Sequence, residues 1–158
     1  MSNRRNGAIL GFWVVVAGCG GGPSTAIRTS EYPVGTRWTA TLATPAALRG
    51  ALQVTGTAWM ARGDHSGRTQ AEIEINNATP GGRHPWHIHR GSCGSNGNVV
   101  EAAEQFDLLE VGNDGHASSS VDLDWPTPAS GNYMVQVHAS PTNLQTVIAC
   151  GNLAPPVR

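Results

Sequence analysis

Charge is scarce in this chain: only 13% of its 158 residues are charged, and the formal net charge is −1. Such a balance supplies no basic footprint for a phosphate backbone, which sets nucleic-acid binding aside. No segment reads as a convincing helix, and no internal repeat is present. The apolar run from Ala8 to Ala17 is too short to cross a bilayer comfortably. Turn-forming residues, in contrast, are plentiful, with 20 Gly and 10 Pro. That composition suits an all-β domain with many turns, and the length suits one domain.

The amino terminus does not read as part of the fold. Arg4 and Arg5 precede the short apolar run, which ends Val16-Ala17-Gly18-Cys19 and resembles a bacterial lipobox. The resemblance implies residues 1–18 as a lipoprotein signal peptide, cleavage before Cys19, and lipidation of that cysteine. Residues 19–36 are then the lipidated cysteine and a flexible tether, read from the short run Gly20 to Ser24. An ordinary secretory signal with an incidental cysteine is the alternative. Gly20 after the cysteine suggests sorting to the outer membrane where the cell has one. The expected location is therefore the bacterial cell envelope, on a membrane through a lipid anchor and without a spanning helix.

Setting Cys19 apart leaves Cys93 and Cys150. Export to an oxidising compartment makes one disulfide the expectation, against two unpaired buried thiols. Such a bond closes a loop of about 57 residues, worth roughly 4 kcal/mol in the chain-entropy model.

Alternation with period two marks the strands. Trp38, Ala40 and Leu42 share one face, as do Leu52, Val54, Gly56 and Ala58. Ala71, Ile73 and Ile75 alternate with Gln70, Glu72 and Glu74 as the clearest amphipathic strand. Between these runs, Arg62-Gly-Asp-His-Ser-Gly67 reads as a hairpin loop, so its Arg-Gly-Asp string is a turn rather than an adhesion motif. Phe106 to Val111 and Ala117 to Leu123 read as strands around Gly112-Asn-Asp-Gly115, where the Asp-Gly dipeptide favours a hairpin. His65 and His116 fall in turns and are expected in solvent. Asn132 to His138 and Thr146 to Cys150 complete about eight strands, a flattened antiparallel barrel or sandwich.

The segment His84-Pro-Trp-His87-Ile-His89 carries the chemistry. Successive strand residues point to opposite faces, so His87 and His89 share a side, roughly 6.5–7 Å apart along the strand. Trp86 and Ile88 point to the core. In the later strand Tyr133, Val135 and Val137 share the inner face, while Met134, Gln136 and His138 share the outer one. If the two strands are neighbours, His87, His89 and His138 converge on the outer wall, with Met134 and Gln136 on a wet outer face beside them, a binding edge being the alternative for these two. Three imidazoles suit copper, zinc, iron or nickel.

These residues resemble the copper/zinc superoxide dismutase family. The likeness rests on His84-Pro-Trp-His-Ile-His89, the Val-Gln-Val-His138 strand end, and Ile148-Ala-Cys150-Gly151. It covers most of the chain, residues 37–154, and leaves 155–158 as a tail. It implies an eight-stranded antiparallel Greek-key barrel or sandwich, with His87, His89 and His138 as copper ligands, a Cys93–Cys150 disulfide, and His84 as structural.

Two departures qualify the likeness. The stretch from Gly94 to Phe106 has no histidine, so the family's bridging ligand and zinc site are missing, and zinc is not expected at that position. The family also places an anion-guiding arginine three residues before the last cysteine. Here that residue is Val147, and Arg83 and Arg90 are not aimed at the metal by anything in the sequence. The expected function is thus an envelope-anchored protein that binds or buffers copper. The alternatives are a copper-only superoxide dismutase and an interaction module that binds no metal. Zinc hydrolysis fits less well, because Asp107, Asp122 and Asp124 read as solvated and none is placed as a base. The copper donor, the recipient and the oligomeric state are open at this level.

Overall fold

The structure, a computed structural model, describes residues 34–157 except position 66. The signal peptide, the lipidated Cys19 and most of the tether lie outside the described residues. The tether's last three positions, Val34–Thr36, form a 3-10 turn.

Nine strands follow: β1 (Trp38–Ala43), β2 (Thr55–Arg62), β3 (Thr69–Asn76), β4 (Arg83–His84), β5 (Trp86–Arg90), β6 (Leu109–Glu110), β7 (Ala117–Leu123), β8 (Tyr133–Ser140) and β9 (Asn143–Leu153). Two further 3-10 turns, Ala46–Leu48 and Ala103–Gln105, interrupt them. No helix among the described residues is long and apolar enough to cross a membrane.

Seven strands form one antiparallel sheet in the order β5-β8-β9-β1-β2-β3-β7, and β4 pairs with β6. The first three strands make a meander. The chain then leaves β3 for the far edge, returns as β7 beside β3, and crosses again so that β8 lies beside β5. These are Greek-key connections, as the family resemblance implied. The extra strand arises at Pro85, which has no N–H to donate and divides the His-rich segment into β4 and β5.

The core follows from the alternation. Ala71, Ile73 and Ile75 are fully buried, whereas Glu74 beside them is exposed. Trp38, Leu42, Trp86, Ile88, Leu109 and Leu123 join the same apolar cluster. Burying side chains of this size contributes roughly 1.5–3 kcal/mol each, before conformational entropy is set against it. The second run starts as a strand only at Thr55, because the backbone of Val54 is held by Thr44. Val54 N donates to Thr44 Oγ1 at 2.8 Å, and Thr44 N donates to the Val54 carbonyl at 3.0 Å. The segment from Phe106 to Val111 is strand only at Leu109–Glu110.

The turns behave as turns. Gly63 N donates to the Arg68 carbonyl at 3.0 Å and closes the loop that carries Arg62, Gly63 and Asp64. His65 is exposed. Gly115 has φ +79°, and a Cβ there would press on the carbonyl oxygen of Ala78 at 3.0 Å. Glycine is required at that position for both reasons.

Candidate metal centre

β5 and β8 are neighbours, with His87 opposite Gln136 and His89 opposite Met134. Further along β8 the register with β9 slips between Val137 and His138, a bulge that re-aims the chain where the last histidine projects. His138 N donates to the Pro85 carbonyl at 2.8 Å, which ties this strand end to the start of β5. The three histidines meet as a result. One nitrogen from each of His87, His89 and His138 lies within 4.8 Å of the others.

The donor atoms can be assigned. His89 donates Nδ1–H to the Gly97 carbonyl at 2.9 Å, leaving its Nε2 with the lone pair. That Nε2 is buried and has no hydrogen-bond partner. His87 Nδ1 and His138 Nε2 face each other at 3.1 Å, one donating a proton to the other. In a tetrahedral site with metal–nitrogen bonds of about 2.0–2.1 Å, donors sit roughly 3.4 Å apart. Small side-chain adjustments would bring all three nitrogens to that spacing. The residues present therefore fit a transition metal.

Their protonation suits one as well. The pKa of His87 is lowered to about 4, chiefly by burial and then by His138 and His89 beside it. Burial also lowers His89 against the opposing pull of the Gly97 carbonyl. His138 is lowered by burial, with the Leu144 carbonyl opposing and His89 adding to the shift. All three are thus neutral at pH 7, so a metal meets little competition from protons.

The expected wet outer wall is not found. His87, His89, His138, Met134 and Gln136 are 5%, 8%, 4%, 0% and 8% exposed. The cover is the loop of residues 91–106, whose residues 98–100 run along β5. Arg90 N donates to the Asn98 carbonyl and Val100 N to the Ile88 carbonyl, at 2.9 and 3.0 Å. Phe106 wraps the edge of β5, its ring meeting Trp86 at 5.0 Å and His87 at 5.4 Å between centroids. Strand alternation shows which side chains share a face, and the way the following loop folds back over that face decides whether it is dry.

Cys93 and Cys150 form the expected disulfide, with Cα atoms 5.9 Å apart. It pins the start of the covering loop to β9, where Cys150 lies beside Gln136. Cys93 N also donates to Asn152 Oδ1 at 2.8 Å. His84 stands apart from the three histidines. Its Nδ1–H donates to the carbonyls of Ala139 and His138, at 2.9 and 3.1 Å, so it braces the end of β8. His116 contacts Asn76 Oδ1 at 3.2 Å on the surface. Asp107, Asp122 and Asp124 are exposed.

Two residues, one in the site and one in a groove beside it, carried no legible signal in the sequence. Gly97 holds His89 through its carbonyl and lies so close to the Arg90 carbonyl that a Cβ would collide with it. A Gly97→Ala protein should therefore move the loop and weaken metal binding about tenfold or more, as removal of a residue that orients a metal ligand does. A chelator competition titration measures this, and unchanged affinity would show that the loop does not orient His89. Arg49 is the second. It lines a groove of about 560 Å³ together with Gln136, Val147 and the disulfide, and among the described residues it is the groove's one charged side chain. Arg83 pairs with Glu110 at 3.4 Å, and Arg90 lies over the rings of Trp125 and Tyr133.

Fold and site together define an antiparallel Greek-key β-domain with a buried three-histidine group able to hold a metal ion. Among solved structures the chain is similar to a double mutant of a SOD-like protein from Bacillus subtilis. The two are 16% identical with a TM-score of 0.49, covering 73% of this chain and 95% of that one. No family model and no curated protein matches the sequence.

Proposed function

We propose that this chain is an envelope-anchored copper-binding protein of the superoxide dismutase-like fold, binding or buffering copper through His87, His89 and His138. The observation that carries the reading is the buried, unpartnered Nε2 of His89 beside the facing pair His87 Nδ1 and His138 Nε2. Leaving a buried polar atom unpaired costs about 1–3 kcal/mol, and a bound cation removes that cost. Neutral imidazoles suit copper as well as zinc, so the choice of copper rests on the family likeness. The envelope location and lipid anchor rest on the motif ending at Cys19.

A copper-only superoxide dismutase is the second reading, and Arg49 favours it. With Val147 opposite His138, the family's guiding cation is absent from its usual place. Arg49 brings a guanidinium from another element to the groove that Val147 and Gln136 line. A lone cation there would draw a small anion toward the site. Bound copper would supply the cycling between two oxidation states.

Superoxide consumption per bound copper separates the readings. A second-order constant approaching about 10⁸–10⁹ M⁻¹s⁻¹ would make the protein a dismutase. The expected result for a carrier is a rate no better than that of free copper, with the metal still tightly held. A folded, oxidised protein that takes up no copper would leave an interaction module that binds no metal.

A further inference from the structure

The histidine face holds one more donor. Met134 is completely buried, yet it does not belong to the continuous apolar core that takes Tyr133, Val135 and Val137 from the same strand. Its side chain lies on the opposite side of β8, directly across the ladder from His89. Opposed side chains in such a pair have Cβ atoms about 4.5–5.5 Å apart. Gln136, across from His87, donates Nε2–H to Met134 Sδ at 3.5 Å. The thioether is thus kept on the metal side of the strand by a polar neighbour and covered from water.

A methionine in this position is chemically distinctive. An apolar filler of the same volume needs no sulfur, and leucine packs about as well. A thioether is a soft, neutral ligand that selects copper(I), whereas imidazole accepts either oxidation state.

We propose that Met134 Sδ would be a ligand, with His89, for copper supplied as copper(I), while copper(II) would be held by the three histidines. This rests on the copper reading above and deepens it: the site would accept copper in either oxidation state, each through its own donor set. In the copper(I) form the Gln136 amide gives up its bond to the sulfur, whose lone pair goes to the metal.

The test uses the purified full chain and copper itself. Copper(I) affinity is read anaerobically against a chromogenic copper(I) chelator, and copper(II) affinity against an amino-acid chelator, for the wild type and Met134→Leu. The expected result is at least a tenfold loss of copper(I) affinity with copper(II) affinity unchanged within threefold. X-ray absorption of the copper(I)-loaded wild type should show a copper–sulfur path, which keeps the question answerable if Met134→Leu does not fold. Equal losses for both oxidation states, no loss for either, or a copper(I) shell of nitrogen alone would overturn the role of Met134. A wild type that binds neither oxidation state would instead overturn the copper reading itself.

Discussion

A His138→Ala protein is expected to lose copper affinity by at least a hundredfold while remaining folded. The loss follows from the donor set. His138 Nε2 faces His87 Nδ1 at 3.1 Å, and its removal leaves two histidines on one strand, His87 and His89, with ring centroids 5.7 Å apart. Removing a residue that merely orients a ligand costs about 10–100-fold, and a lost ligand should cost more. The fold should survive because the contribution of His138 to strand architecture is made by its backbone, through the bond from its N–H to the Pro85 carbonyl. Alanine keeps that bond. A copper(II) competition titration, with near-ultraviolet circular dichroism as the check on folding, measures the effect. Unchanged affinity in a folded variant would end the three-histidine proposal.

Removing the disulfide should produce the largest change in stability. The bond closes a separation of 57 residues, and the chain-entropy model values such a closure at roughly 4 kcal/mol. A protein carrying Cys93→Ser and Cys150→Ser should therefore unfold in urea with a free energy lower by about 2–5 kcal/mol. The effect reaches the site as well, because Cys93 anchors the loop that supplies the Gly97 carbonyl to His89 and the Phe106 ring to His87. Copper affinity should fall along with stability. A loss below about 1 kcal/mol would mean that the loop is held without the bond, by its contacts with Arg90, Ile88, His89, Asn132 and Asn152 and by the Phe106 ring.

Much of the fold was legible because alternation is a local property. Ala71, Ile73 and Ile75 declared their buried face without reference to any other strand, and the Asp-Gly dipeptide marked its own turn. The spacing of His87 and His89 placed them on one side of a strand in the same way. The neighbourhood of β5 and β8 was a condition that the sequence reading had to assume. The three imidazoles converge only because Greek-key connections bring residues about 50 positions apart together.

What the sequence determined by itself is the set of strands, the faces their side chains share, and a pair of histidines fit for a metal. It did so because successive strand side chains alternate whatever surrounds them. Tertiary structure alone decided that the histidine face is dry, that Gly97 aims His89, that Met134 lies beside the site rather than in a wet surface, and that Arg49 reaches the groove next to Val147. Each of these depends on how a loop packs back on strands, whether on the strand it follows, as residues 97–100 do on β5, or on strands distant in sequence, as at Arg49 beside Val147. The period of a strand fixes which side chains lie together on a face, but it carries no information about what comes to lie over that face.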